Sequence, residues 1–295
     1  MTTEGPAVRA KSSRMTDISV LMKVRLNALV LATTAGGFYM GSADPLNLTL
    51  MLIACVGTAL VAGGASALNQ VQERDTDKLM ERTRDRPVAE GRMTVGHANT
   101  LAYIFTVSGL LLLWFGTNRA AALVALATTI CYVVIYTPLK KITSLSTVVG
   151  AVPGALPPLI GWAAARGTVD AVAWTLFLLM FFWQLPHFLA IAWMYREDYA
   201  RAGLPMLAVV DTTGRVTGLQ ALLWAATLVP VTLLPAFLGL SGQTYALSAF
   251  VLGAAFVWVA GVFARYRSRE NARLLFLTSI TYLPLLWILM AVGKK

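Results

Sequence analysis

Apolar stretches long enough to cross a ~30 Å hydrocarbon core recur along the whole chain, separated by short polar connections. Strands would be shorter and would alternate apolar with polar positions, and these stretches do neither. Nine helices are predicted, over 20–41, 48–68, 98–115, 120–136, 147–165, 171–194, 216–238, 245–264 and 274–292. No low-complexity tract or soluble segment interrupts them. The expected fold class is all-α: a polytopic membrane bundle of about nine transmembrane helices around a central cavity. Residues 1–19 read as an N-terminal tail and 20–295 as a single integral-membrane domain. The fifth helix carries Gly150, Pro153, Gly154, Pro157, Pro158 and Gly161, which break regular helix. Irregular backbone at membrane depth is tolerated only against protein or a water-filled cavity, so this helix is expected to border the cavity.

Composition agrees, with 57% hydrophobic and only 13% charged residues, which excludes a soluble domain. The formal charge of +10 would suggest a nucleic-acid partner only if the positives formed one dedicated face. They fall instead on alternate connections: twenty of the 24 basic residues lie on one side, leaving Arg119, Arg166, Lys294 and Lys295 on the other. The positive-inside rule makes the first side, with the N-terminus, cytoplasmic. The first twenty residues lack the apolar core of a signal peptide, so a cell inner membrane is the expected location. Cys55 and Cys131 lie in apolar helices without metal or redox spacing and read as small core residues.

Two polar clusters stand out against this background. Directly after the second helix the chain reads Asn69-Gln-Val-Gln-Glu73-Arg-Asp75-Thr-Asp77, then Glu81, Arg82, Asp85, Arg86 and Pro87. Asn69, Glu73 and Asp77 recur every four residues, drift only ~80° in total and so share one helical face, from which Asp75 points away. Such a stripe of oxygens with arginines beyond it suits Mg²⁺ bridging to a diphosphate; the other reading is a solvated, salt-bridged loop. The second cluster, Tyr195-Arg-Glu197-Asp198-Tyr199, follows the sixth helix on the same side. Between the two lie Tyr136, Lys140 and Lys141, at another connection on that side. His187 sits inside a membrane helix, where an ionisable residue is by default a functional candidate. The carbonyl freed by Pro186 offers it a structural alternative. His97, near a helix start, reads as an interfacial side chain.

Together these motifs carry a resemblance. The Asn69-x-x-x-Glu73-x-x-x-Asp77 spacing with its Arg82-Thr-x-x-Arg86-Pro87 tail resembles the UbiA-type intramembrane prenyltransferases. Tyr136-Thr-x-Leu-Lys140-Lys141-x-Thr143, Pro157-Pro158-x-Ile-Gly161-Trp162 and Gln184-Leu-Pro186-His187-Phe188 are similar to the branch that farnesylates haem. The resemblance runs from about Lys23 to the last helix. It departs from the wider family at Glu73, where many relatives have Asp, and at Tyr195 and Tyr199, where quinone-type relatives place aspartates.

The resemblance implies transfer of the farnesyl group of farnesyl diphosphate to a vinyl group of haem b, with water added to the resulting cation. It implies Mg²⁺ as cofactor, held by Asn69, Glu73 and Asp77 and completed by Asp198 and Glu197. Arg82, Arg86, Lys140 and Lys141 are the expected diphosphate ligands, with Arg25 as a further candidate and Tyr136 facing the diphosphate or the cation. Trp162, Phe181, Phe182 and Trp183 would wall the cation from water, and His187 and Gln184 would serve the haem acceptor. Membrane lipid surrounds such a protein, and a haem A synthase is a candidate partner. Two rival readings are an aromatic acceptor, for which Gln184 and His187 would have no role, and an ion-coupled transporter. The transporter would place acids at helix centres, where this chain has almost none.

Overall fold

The computed structural model describes residues 13–295. Within them the main helices are α1 (Arg14–Leu21), α2 (Val24–Gly41), α3 (Leu48–Asp77), α4 (Val95–Gly116), α5 (Arg119–Leu139), α6 (Ser146–Arg166), α7 (Ala171–Met194), α8 (Arg196–Arg201), α9 (Arg215–Phe237), α10 (Gln243–Tyr266) and α11 (Arg269–Val292), with single helical turns at Pro87–Glu90 and Leu207–Val210. Eight of these are long and apolar enough to span a membrane, and α1 with α2, bent by 49°, makes a ninth. Arg9 and Lys11, counted among the cytoplasmic positives, lie outside the described residues.

Local sequence sets the helix starts. Asn47, Thr94, Asn118, Asp170 and Ser268 each accept a hydrogen bond from a backbone N–H of the first turn that follows. α6 is interrupted at Leu156, between segments Ser146–Ala155 and Pro157–Arg166, as its prolines predict. Its glycines permit close approach. A Cβ on Gly161 would stand 1.9 Å from the Thr34 carbonyl oxygen, and one on Gly37 would stand 2.0 Å from that of Pro158. This reciprocal contact lets α2 and α6 pack backbone to backbone.

The spans form two packed halves. Phe38, Ala54, Leu113, Ala125 and Ile160 make a core among α2 to α6, and Leu176, Leu228, Phe256, Phe263 and Leu286 make a larger one among α7 and α9 to α11. Leu52, Leu111, Leu247 and Trp258 project outward, as side chains facing lipid must.

Two differences from the sequence reading matter for the site. The helix predicted over 48–68 continues to Asp77, so the polar stripe belongs to the spanning helix itself. Helix α1 begins inside the stretch read as a tail, and its Leu21 is fully buried. Three side-chain amide bonds support the break between α1 and α2. The Gln70 amide donates to the carbonyls of Val20 (2.9 Å) and Leu21 (2.8 Å), and Asn27 donates to that of Met22 (2.6 Å). Lys23 occupies the break with a left-handed backbone, φ 49°.

Candidate active site at the polar ends of α3, α5 and α7

The last two turns of α3 present Asn69, Glu73 and Asp77 on one face, and all three are buried. Asp75 points the other way, exposed beside Arg74 and Lys78. Cations surround the buried stripe. Arg86 Nη1 lies 2.7 Å from Asp77 Oδ2 and 3.7 Å from Glu73 Oε2. Lys140 Nζ donates to Glu73 Oε1 at 3.0 Å, and Lys23 Nζ donates to Asn69 Oδ1 at 2.7 Å. Burial works against the Lys140 ammonium, yet Tyr136 and the Glu73 carboxylate more than offset it and its pKa is raised.

A polar chain ties the stripe to α5. Asn69 Nδ2 donates to Thr137 Oγ1 (3.1 Å), which donates to the Tyr132 carbonyl (2.7 Å). Residues Cys131–Tyr136 form a π-helical turn, a distortion that frequently marks functional sites. It sets Tyr132 and Tyr136 in a stack, ring centroids 5.7 Å apart, with the Tyr132 hydroxyl 3.1 Å from Lys23 Nζ. Gly150 on α6 makes room for the Tyr136 ring, since a Cβ there would meet it at 2.5 Å.

The second acidic cluster stands at the same end of the bundle. Arg82 Nη2 donates to the Tyr199 hydroxyl at 3.1 Å, and its guanidinium lies 5.2 Å from the Tyr195 ring centroid. The two tyrosines that depart from the wider family thus make an aromatic cradle for Arg82. Asp198 pairs with Arg201, which also reaches Glu81 at 3.5 Å. Asp198 is thus tied to Glu81 through Arg201 and not to the stripe, and Glu197, expected to complete the metal site, is exposed.

Among the described residues no three His, Cys, Asp or Glu side chains gather tightly enough to hold a metal ion by themselves. One atom nevertheless fits a hard cation: Asp77 Oδ1 is buried and has no hydrogen-bond partner. With Glu73 one turn away, it offers the kind of one- or two-carboxylate site that Mg²⁺ completes with water and substrate phosphate.

Not every residue expected here gathers. Lys141 is exposed and reaches only the Gln72 carbonyl, at 3.4 Å. Arg25 points outward, and its place is taken by Lys23, which the sequence reading had counted only as a topology signal. Tyr132 was also missed. Trp162, expected in the wall around the cation, lies at the opposite end of the bundle beside Gly41 and Arg166.

Deeper along α7, Gln184 Nε2 donates to the carbonyls of Met180 (2.9 Å) and Ala151 (3.3 Å), where α6 is irregular. His187 Nδ1 stands 2.7 Å from Ser279 Oγ on α11, and its ring lies between Trp183 and Phe276, with centroids at 5.1 and 5.0 Å. Its partner is this hydroxyl, not the carbonyl freed by Pro186. Ser279 Oγ donates to the Phe276 carbonyl at 2.6 Å, so it accepts from Nδ1–H. The proton then sits on Nδ1, leaving the Nε2 lone pair free.

Over residues 30–283 the chain matches the UbiA prenyltransferase family. It is 41% identical over 289 residues to the protoheme IX farnesyltransferase of Solibacter usitatus, covering 95% of this chain and 99% of that one. The protein of the same name from Anaeromyxobacter sp. is 40% identical over 300 residues, across the full length of both. A structure of digeranylgeranylglyceryl phosphate synthase superposes with a TM-score of 0.79 at 16% identity, covering 95% of this chain and 98% of the other. A UbiA homolog from Archaeoglobus fulgidus bound to GPP and Mg²⁺ does so with a TM-score of 0.67 at 15% identity, covering 93% and 99%.

Proposed function

The chain belongs to the UbiA prenyltransferase family, and on that premise we infer that it transfers the farnesyl group of farnesyl diphosphate to a vinyl group of protohaem IX, with addition of water, giving haem O and diphosphate. The observation that carries this reading is the buried end of α3, where Asn69, Glu73 and Asp77 meet Lys23, Arg86 and Lys140. In the free protein these cations neutralise the carboxylates. When the diphosphate arrives, Arg86 and Lys140 exchange carboxylate for phosphate oxygens and Lys23 exchanges the Asn69 amide oxygen, with Arg82 a fourth donor at the mouth. Asp77 and Glu73, with Asn69 beside them, would hold Mg²⁺, which would add to the neutralisation of the leaving group. Asp198 and Glu197 complete the acidic surroundings.

As the allylic C–O bond breaks, negative charge grows on the departing diphosphate, and preorganised cations stabilise it more than the ground state. The stacked faces of Tyr132 and Tyr136 lie against this end and suit the developing allylic cation. Phe181, Phe182 and Trp183 line α7 beyond it and keep water from the cation until the vinyl carbon attacks. His187, with Nε2 unprotonated, suits ligation of haem iron, which commonly takes a histidine. Gln184 fixes the irregular segment of α6 that faces it.

The same reading puts the site on the cytoplasmic side of an inner membrane, with one prenyltransferase domain that includes α1 and runs to residue 295, and a haem A synthase as the partner that takes up the product. Haem extracted from membranes with and without the protein tests the reaction. A more hydrophobic haem should appear only with active protein and farnesyl diphosphate. A prenylated quinone precursor with unchanged haem would overturn the acceptor assignment.

A further inference from the structure

At the end of the bundle remote from Glu73 a cavity of about 170 Å³ opens where α2, α6 and α11 end and α7 begins, and Ser42, Trp162, Arg166, Asp170, Lys294 and Lys295 are in its lining. Only four basic residues fall on this side of the chain's charge alternation, and three of them meet here. The fourth, Arg119, lies apart over Trp114. In a protein whose other positives are kept on the opposite face, such a concentration calls for a local cause.

Capping of α2 accounts for part of it. Arg166 Nε donates to the Gly41 carbonyl (3.0 Å), and Lys294 Nζ donates to those of Tyr39 (2.6 Å) and Ser42 (2.7 Å). Among the described residues, the terminal nitrogens of Arg166 and the exposed ammonium of Lys295 make no protein hydrogen bond. The one acid of the lining, Asp170, accepts from the amides of Val172 and Ala173 at the start of α7. Burial lowers the Lys294 pKa, with Asp44 opposing the effect and Arg166 adding to it.

Capping leaves one observation without a cause. Trp162 is 1% exposed, and its indole N–H has no partner, although the Arg166 guanidinium stacks on its ring at 5.1 Å. A buried N–H without an acceptor is costly, and an acceptor from outside the protein would relieve it. That acceptor must be anionic to suit Arg166 and Lys295. We propose that this cavity binds a phosphate group at the membrane surface opposite the catalytic end, taking hydrogen bonds from Trp162, Arg166 and Lys295. A phosphate matches a guanidinium edge and an ammonium together, and the cavity stands at helix ends, level with lipid headgroups. The group belongs either to a phospholipid headgroup or to free phosphate.

Native mass spectrometry of the full-length protein in detergent, titrated separately with phosphatidylglycerol and with inorganic phosphate, tests this. One bound equivalent is expected, weakened about tenfold or more in Arg166→Gln and in Trp162→Phe, which keeps the ring and loses the donor. Arg119→Gln should bind as the unaltered protein does. Saturable retention of phosphatidylglycerol assigns the group to lipid, and saturation by inorganic phosphate alone assigns it to solution. Should Trp162→Phe fail to fold, Lys295→Gln, an exposed position, carries the test. Equal binding by the unaltered protein, Arg166→Gln and Lys295→Gln would overturn the proposal. So would a loss matched by Arg119→Gln.

Discussion

Lys23 Nζ hydrogen-bonds Asn69 Oδ1 at 2.7 Å, joining the break between α1 and α2 to the polar end of α3. The neighbouring residue closes the same joint from the other direction, because Gln70 donates to the carbonyls of Val20 and Leu21 at the break. The kink and the stripe are thus one construction: Gln70 holds the backbone open, and Asn69 receives the lysine so exposed.

Replacing Lys23 by Met should therefore reduce kcat/KM for farnesyl diphosphate by about 10- to 100-fold, the equivalent of losing one charge-assisted hydrogen bond worth roughly 1.5–3 kcal/mol. Arg25→Met, at the exposed neighbour, should change it little. Steady-state kinetics on both variants decide the matter, and a larger loss in Arg25→Met would reverse the assignment.

Asp77→Asn should abolish farnesyl transfer while the protein still inserts and purifies as a single species. The amide keeps the shape but gives up the charge and one of the two carboxylate oxygens, including the unpartnered Oδ1 on which a cation would bind. The measurement is haem O formation across a Mg²⁺ titration. Near-normal turnover at limiting Mg²⁺ would rule Asp77 out as a ligand.

The stripe was legible because helical spacing of Asn69, Glu73 and Asp77 survives in any regular helix. The rest of this end was not, for physical reasons. Lys23 lies at a left-handed backbone position between α1 and α2, and a period-based reading runs straight through it. Its neighbour Arg25 has the same charge, so only the direction of the chain at the break separates them. Tyr132 owes its orientation to the π-helical turn, which shifts side chains by a residue relative to the α-helical wheel. Trp162 sits in a motif with Gly161, but that motif packs against the far end of α2. Tyr195 and Tyr199 were noticed only as missing acids, although aromatic faces next to Arg82 are a positive signal for a held guanidinium.

Gly161→Ala should destabilise the bundle by about 1–3 kcal/mol or more, because the added methyl would stand 1.9 Å from the Thr34 carbonyl oxygen and force α2 and α6 apart. Gly96→Ala, where a Cβ meets nothing within 4 Å, is the matched control and should be neutral. Thermal unfolding in detergent compares them. Equal melting temperatures would show that the close contact between these helices carries no stability.

Reporter fusions after Glu90 and after Arg201 should both read as cytoplasmic, and fusions at Asp44 and Gly167 as external. Arg82 contacts Tyr199, so the two acidic clusters must share one face whatever the orientation. The charge alternation then selects which face. Clusters read on opposite sides would be incompatible with a common site, and both read outside would invert the protein.

His187→Ala should weaken haem binding while leaving farnesyl diphosphate binding close to normal. His187 lies two turns before Tyr195, so it is ~12 Å deeper than the second acidic cluster at 1.5 Å per residue. That separation suits an acceptor held inside the membrane while the diphosphate stays at the mouth. The hydrogen bond to Ser279 gives a second arm to the test. Ser279→Ala removes the oxygen that keeps the proton on Nδ1, so the ring loses its fixed tautomer without losing its nitrogens. Haem affinity should fall less in Ser279→Ala than in His187→Ala, and the visible spectrum of bound haem should shift in both. Spectral titration of haem into the purified variants, beside a diphosphate competition assay, separates the roles. Equal loss of both substrates in His187→Ala would mark the residue as a structural link between α7 and α11, with the haem iron held elsewhere.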